Sequence, residues 1–471
     1  MNNMRKIFFI CLISLVSTLN AQFVAPPYLQ VGGNPSVNSL HLLWQANVTD
    51  TIWKVEYNTG KEWVSAEAIT KSIIASSNAT KIHLYDVLFN KLIPGQRFNY
   101  RVYKNNQIAF NANAVAPKKA NQPYRFIAVG DLGAGTKESV QIAKRMFSEK
   151  PDLLAISGDI IYDNGLVSEY KTKFWPIYNA ETKDSAVGVP LMRSVPFIAA
   201  VGNHDADTRD LDKFPDALAF YQFWRLPLNG PVGKEGGAFV PVLKGKEENI
   251  NAFKNAAGNR YPRMTNYSYD YGNAHWTVLD ADTYVDWSDS LLRKWVADDI
   301  NTSTATWKFV LFHHPGFNSS NEHYEQQQMR ALSPIFEKGK VDIVFTGHVH
   351  NYQRSYPMYF EPFGKGTQLV GGKDGKALRG KVINGKWKLD KNFDGQTIQK
   401  PNGVIYIVTG AGGQDLYNPE QENDPDSWQK FTHKFISTIH SFTVVDVNDK
   451  KLTFQQIDAN GKKIDGFSIV K

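Results

Sequence analysis

Leu153-Leu154-Ala155-Ile156-Ser157-Gly158-Asp159-Ile160-Ile161-Tyr162 is an apolar run that ends in a glycine and an aspartate. Such a run, without polar alternation, fits a strand buried on both faces, as in a parallel sheet. The Gly-Asp pair fits the turn at its carboxyl end. The same habit recurs along the chain. Phe126 to Val129 runs into Gly130-Asp131-Leu132-Gly133, Phe197 to Val201 into Gly202-Asn203-His204-Asp205, Phe309 to Phe312 into His313, and Ile343 to Phe345 into Gly347-His348-Val349-His350. Helical periodicity lies between them: Thr136 to Glu149 places Val140, Ala143 and Phe147 on one face, and Ser288 to Ile300 places Leu291, Leu292, Trp295 and Val296 on one face. Strand, helix, strand succession predicts a layered α/β core whose buried strands deliver the motifs from their carboxyl ends. Val404 to Val408, Phe442 to Val447 and Leu452 to Ile457 read as closing strands of the same layer.

Upstream, residues 22–120 read as short alternating strands, for example Phe98, Tyr100 and Val102 on one face with Asn99 and Arg101 on the other. Leu40 to Trp44, Ile52 to Tyr57 and Lys81 to Leu88 behave alike, which predicts a small all-β sandwich of immunoglobulin or fibronectin type. Pro117-Lys118-Lys119-Ala120-Asn121-Gln122-Pro123 interrupts both patterns and marks a boundary, leaving residues 121–471 as the second domain. Gly230 to Arg263 and Phe360 to Pro401 are rich in Gly, Lys and Asn, lack a sustained period and read as insertions.

The first 21 residues have the order of a secretory signal: Arg5-Lys6, an apolar run from Ile7 to Val16, then small residues ending at Ala21. That apolar run is shorter than the roughly 20 residues that span a bilayer. The expectation is a secreted or periplasmic protein without a transmembrane segment. The one cysteine, Cys11, lies inside the signal, so the exported chain has no thiol and any metal it holds is bound by N and O atoms. The formal charge of +7 comes from 53 basic and 46 acidic residues. That mild excess suits a small anionic substrate and predicts no specific nucleic-acid partner.

Acidic and imidazole groups at strand ends suit metal binding, because strands hold ligands rigidly while the loops beyond them leave coordination positions open. The candidates are Asp131, Asp159, Tyr162, Asn203, His313, His348 and His350, with Gly130, Gly158, Gly202 and Gly347 each preceding a ligand-bearing turn. Singly these signals are weak, since a Gly-Asp pair is usually a turn and Asn203 alone reads as one too. Five in order, each after its own apolar run, are not.

In that order the five segments resemble the blocks of the purple acid phosphatases, a branch of the calcineurin-like metallophosphoesterases, over about Arg125 to Gly413. The most specific residue is Tyr162. Most metallophosphoesterases open with Asp-x-His; this chain has Gly133 in the histidine's place and a tyrosine three residues after Asp159, as the purple enzymes do. The resemblance implies an α/β/β/α metallophosphoesterase sandwich behind a fibronectin-like domain. It also implies that Asp131, Tyr162 and His350 hold Fe(3+), that Asn203, His313 and His348 hold a divalent Zn, Mn or Fe ion, and that Asp159 bridges the two. A Val-x-x-His segment followed by x-Pro fits Val310, His313 and Pro315, which leaves the adjacent His314 to the pocket wall.

A two-metal site of this kind implies an acid phosphatase that hydrolyses phosphate monoesters by attack of a metal-bridging hydroxide, with no protein nucleophile. His204, beside Asn203, is placed to protonate the leaving group, and His323 in Asn321-Glu322-His323-Tyr324 resembles the second substrate histidine of the plant-type enzymes. Two other readings stand beside this one: a phosphodiesterase or nucleotidase on the same ligands, and a surface binding module that has lost activity. Gly410-Ala411-Gly412-Gly413 lacks the Lys-Ser/Thr ending of a phosphate loop and reads as a structural turn near the site; Phe220 to Trp224 reads as packing.

Overall fold

The computed structural model describes residues 23–49, 51–60, 62–75, 81–183, 186–363 and 383–471. The proposed signal, with Cys11, lies outside the described residues, as does most of the first half of the 360–401 insertion. Among the described residues no helix is long and apolar enough to cross a membrane.

Leu153–Ser157 is a strand in which every residue is buried. It pairs in parallel with Tyr124–Val129 on one side and Phe197–Ala200 on the other. Antiparallel strands Ser441–Asn448, Lys451–Asp458 and Lys463–Val470 extend this sheet on one flank. A second sheet of seven strands carries Ala274–Val278, Trp307–Leu311, Ile343–Thr346 and Ile405–Thr409 as parallel neighbours. Phe126 of the first sheet meets Trp276, Phe309 and Phe345 of the second at ring-centroid distances of 4.9, 5.3 and 5.8 Å. The two sheets therefore face each other across an aromatic core, and the helices cover their outer faces.

Lys137–Ser148 is one covering helix, started by Thr136, whose Oγ1 accepts from the Ser139 amide at 3.1 Å. Its fully buried face is Ser139, Ile142, Ala143 and Met146; the expected Val140 and Phe147 flank that stripe and are partly buried. Ser290–Thr302 buries Leu292, Val296 and Ile300, while Leu291, expected on the inner face, is 56% exposed. A helix has room for one stripe about 100° wide, and Ile300 completes it on the side away from Leu291. The insertion from Gly230 to Arg263 contains the helix Glu247–Ala257, seated through Phe253, Ala256 and Ala257. Phe220, Tyr221, Phe223 and Trp224 are buried in the core.

The N-terminal strands form two layers. Trp63–Ser65, Trp53–Asn58, Arg97–Lys104 and Gln107–Val115 make a four-stranded sheet. It packs over Leu40–Asn47 and Ile82–Phe89 through a core of its own, including Leu42, Trp44, Val55, Tyr57, Phe89, Tyr100 and Val102. The second layer continues into the large sheet, because Ala25–Gln30 lies parallel beside Phe197–Ala200 in a ten-stranded order. Arg225 ties the two regions: its Nε donates to Asp86 Oδ2 at 2.6 Å, and His41 Nδ1 lies 2.7 Å from Asp86 Oδ1. Burial works to raise the Asp86 pKa, but His41 and Arg225 hold it at about 2. Arg225→Met leaves that carboxylate without its main cation, so a loss of about 3–5 kcal/mol in urea unfolding is expected, partly recovered in Arg225→Met/Asp86→Asn.

A second ionic clamp joins the other sheet to its helix. His275 faces Asp270 Oδ1 through Nδ1 at 2.7 Å and Asp299 Oδ2 through Nε2 at 3.0 Å, and Thr277 donates to the same Asp299 oxygen at 2.7 Å. Burial alone would lower the imidazole pKa, but the two carboxylates push it up to about 9. Since the folded value lies above the unfolded one near 6.5, the charged clamp stabilises fully below about pH 6.5 and is lost as pH rises through 9. Its ceiling is roughly 3 kcal/mol, reduced because Asp270 is open to solvent. The melting-temperature gap between the wild type and His275→Gln should narrow between about pH 6.5 and 10; a constant gap would contradict the clamp.

Candidate metal centre

All five motifs leave their strands at the carboxyl ends and meet between the two sheets. Asp131 and Asp159 follow neighbouring strands of the first sheet, while His313 and His348 follow neighbouring strands of the second. Asp131, Asp159, His348 and His323 adopt left-handed backbone conformations, with φ of +59°, +49°, +67° and +59°. Each costs on the order of 1 kcal/mol or more, a strain that concentrates where side-chain direction matters for function. Gly158 lies at φ +85° with an added Cβ 2.5 Å from the His313 ring, and a Cβ on Gly202 would collide with Asp159. Those two glycines make room for ligand side chains.

The donor atoms fall into two groups. In one, the Tyr162 hydroxyl lies 2.9 Å from Asp131 Oδ1 and 3.2 Å from His350 Nε2, and His350 Nε2 is 3.4 Å from Asp131 Oδ1. In the other, His313 Nε2 lies 3.1 Å from Asn203 Oδ1 and 3.2 Å from Asp159 Oδ2. Asp159, His313 and His348 each offer a ligand atom within 4.8 Å of the others. Every member except Asn203 is buried.

Three tautomers are set from outside these groups. His313 Nδ1 donates to the Ser157 carbonyl at 2.8 Å, and His350 Nδ1 to the Asp415 carbonyl at 2.8 Å. His348 Nε2 donates to Gln326 Oε1 at 2.7 Å. The remaining nitrogens, Nε2 of His313 and His350 and Nδ1 of His348, therefore carry the lone pairs a cation needs.

Electrostatics favour a cation as well. Burial, followed by the charges of Asp131 and Asp159, pushes the Tyr162 phenol well above its ordinary pKa, so a phenolate here requires a cation beside it. Burial and the neighbouring imidazoles push His348 well below its ordinary value and keep it neutral. Burial would raise Asp159, but a protonated His313, pushed up to about 9 against its own burial by Asp159 and Asp131, holds it below the usual carboxylate range; a bound cation would displace that proton, free Nε2 and take over the charge. Two carboxylates, a phenol, an amide and three imidazoles with oriented lone pairs fit two hard or borderline cations.

His204 borders the first group: its ring is 4.3 Å from that of Tyr162, its amide donates to Asp159 Oδ1 at 3.0 Å, and its side chain is 34% exposed. His323 packs on the His348 ring at 4.0 Å. His314 also packs against the ligand imidazoles, 4.0 Å from the His348 ring and 5.1 Å from that of His313. Gly410 lies behind Asp131, whose Oδ2 is 2.7 Å from where a Cβ would stand.

Several supporting residues carry no signal in the motifs. Asp205 accepts from the amides of Ile160, Ile161 and Gly202 at 3.1, 3.3 and 3.0 Å, joining two ligand loops. Burial and the Asp159 charge push its pKa up to about 7. Gln326 and the Tyr417 ring, stacked on His350 at 4.0 Å, complete the surround. Only Asp205 had a readable clue, as the third residue of the short helix begun after Gly202.

The family model "Calcineurin-like phosphoesterase" matches residues 124–352, and "Iron/zinc purple acid phosphatase-like protein C" matches residues 403–466. The chain belongs to the purple acid phosphatase branch of the calcineurin-like phosphoesterases. Purple acid phosphatase 23 of Arabidopsis thaliana is 25% identical over 311 residues, covering 60% of each chain. Probable inactive purple acid phosphatase 27 of the same plant is 25% identical over 64% of this chain and 51% of its own length. The chain thus spans between half and two thirds of these relatives. Purple acid phosphatase PPD1 from yellow lupin (Lupinus luteus) shares the fold at a TM-score of 0.62 and 16% identity, over 94% of this chain and 74% of that one.

Proposed function

We propose that this purple acid phosphatase relative is an exported binuclear metallophosphatase acting on phosphate monoesters, with residues 22–120 as a supporting sandwich and 121–471 as the catalytic domain. Asp131, Tyr162 and His350 hold Fe(3+); Asn203, His313 and His348 hold the divalent Zn, Mn or Fe ion; Asp159 bridges them. The observation that supports this reading is the pair of imidazoles His313 and His350, each turned by an outside carbonyl so that Nε2 faces Asp159 or Asp131 and Tyr162, with a ring nitrogen of His348 within 4.8 Å of the Asp159 and His313 ligand atoms. An inactive binding module has no need of that orientation.

When bound, such a pair of ions lowers the pKa of water to give hydroxide and neutralises charge on the phosphoryl group. The protein's part is to fix the ligands, exclude bulk water behind Asp131 and Asp159, and place His204 and His323 beside the site. His204 Nδ1 donates to the Asp163 carbonyl at 2.8 Å, which aims Nε2 away from that loop and fixes the ring for proton transfer.

The test is the visible spectrum of the aerobically purified protein together with its iron content. A tyrosinate-to-iron band that disappears in Tyr162→Phe, with hydrolysis of a monoester in preference to a bis-ester, is the expected result. Iron-loaded protein without that band removes Tyr162 from the ligand set, and bis-ester preference moves the activity to the phosphodiesterase reading.

A further inference from the structure

Next to the ligand cluster lies a second group of polar atoms that the phosphatase reading does not use. Asp282 is fully buried, and neither of its carboxylate oxygens has a hydrogen-bond donor. His314 Nδ1, 3.7 Å from Asp282 Oδ1, is buried and without a hydrogen-bond partner too. Gln328 Oε1 is a third such site: its amide Nε2 donates at 3.0 Å to the carbonyl of Ala281, the residue before Asp282. That bond settles the amide's orientation, because the reverse would set two oxygens against each other.

The neighbouring acid makes the contrast. Asp280 Oδ2 accepts from Tyr284 at 2.5 Å and Oδ1 from the Asp282 amide at 3.1 Å. Asp282 has no such donors, and among the described residues no lysine or arginine pairs with it; Arg209, whose charge is felt at Asp282, pairs with Asp207 at 3.4 Å. An unsatisfied buried carboxylate costs several kcal/mol, so such a group signals an ion or water that answers it. Protonating Asp282 supplies one hydrogen and leaves its second oxygen and Gln328 Oε1 still without a donor. A divalent cation answers both Asp282 oxygens at once, with His314 Nδ1 and, through the residue bonded beside Asp282, Gln328 Oε1 as the neighbouring partnerless atoms.

We propose that Asp282, His314 and Gln328 form a site for a further divalent cation of the zinc or manganese class, separate from the two ions of the phosphatase reading on which its placement rests. A carboxylate, an amide oxygen and an imidazole nitrogen suit those ions better than calcium, which takes oxygen throughout. The His314 ring packs at a tilt against His348, 4.0 Å between centroids, so the cation adds positive charge beside the proposed divalent position. That charge strengthens the attraction for a phosphoryl anion.

The probe is Zn2+ alone, by equilibrium dialysis of chelator-stripped protein followed by elemental analysis. The wild type should bind one equivalent more than Asp282→Asn or Gln328→Leu. In an Asp159→Ala background, added Zn2+ should still raise the melting temperature, and should cease to do so when Asp282→Asn is combined with it. Asp282→Asn replaces a buried acid, which burial and the charges of Asp207 and Asp280 push toward its neutral form, by an isosteric amide, and should melt no lower than the stripped wild type, which separates lost binding from lost folding. Equal zinc in the wild type and both single variants overturns the third site. Asp159→Ala binding as much zinc as the wild type, with Asp282→Asn still one equivalent short, overturns the bridging role of Asp159 and leaves this site standing.

Discussion

Asp159→Ala is expected to lose bound metal and to drop phosphatase turnover by on the order of 10⁴-fold, the several kcal/mol that ions supply to the transition state. The Asp159 side chain reaches both halves of the site. Its Oδ2 lies 3.2 Å from His313 Nε2 in one group, and the Tyr162 phenol of the other feels its charge. Its backbone is held at φ +49°, which no packing need explains, because the side chain is surrounded by ligands rather than by apolar neighbours. Asp159→Asn keeps the shape and one oxygen while removing the charge, so it should retain part of the metal. Elemental analysis and turnover measured on the same preparations decide the matter. Wild-type metal content and rate in Asp159→Ala would remove the bridge and, with it, the division of ligands into two sets.

How far the site was readable depends on where its information lies. Each proposed ligand follows an apolar run, and a run plus a polar turn is a local pattern, so Asp131, Asp159, His313 and His348 could be singled out and ordered before any fold was known. The groups that orient them are not local. Ser157 serves His313 across 156 positions, Asp415 serves His350 across 65, and Gln326 serves His348 across 22. A serine carbonyl has no side-chain signature at all. Gln326 is one of three consecutive glutamines, all of them buried, and no pattern says which of them reaches His348.

The fold divides similarly. Strands such as Phe126 to Val129 declared themselves through continuous burial, whereas the helix Glu247–Ala257 stayed hidden because it buries only Phe253, Ala256 and Ala257, with Ile250 partly covered. The passage of the N-terminal layer into the large sheet depends on one edge pairing, Gln30 with Phe197, between strands far apart in the chain. Edge pairing follows from tertiary packing rather than from local composition. Leu291 shows the limit inside a single helix: apolar residues at positions 291, 292, 295 and 296 define a stripe wider than the one the sheet covers.

His204→Ala is expected to leave metal content unchanged and to lower kcat by about 10²–10⁴-fold for alkyl phosphates. The residue is tied to the site through its backbone, which donates to Asp159 Oδ1 at 3.0 Å, and that bond survives the substitution. What disappears is the ring, held by Asp163 on one side and the Tyr162 face on the other, with its edge reaching solvent. A ring so placed can hand a proton to a departing alkoxide without itself holding a metal, although it packs on the Tyr162 face. The size of the loss should therefore track the leaving group: large for an alkyl phosphate, whose alkoxide needs the proton, and small for a nitrophenyl phosphate, whose phenolate departs without it. A uniform loss across both substrates would mean that His204 binds or positions the phosphoryl group instead. A loss accompanied by missing metal would mean that its ring supports Tyr162, and proton transfer would then have to be assigned to His323 on the far side of His348.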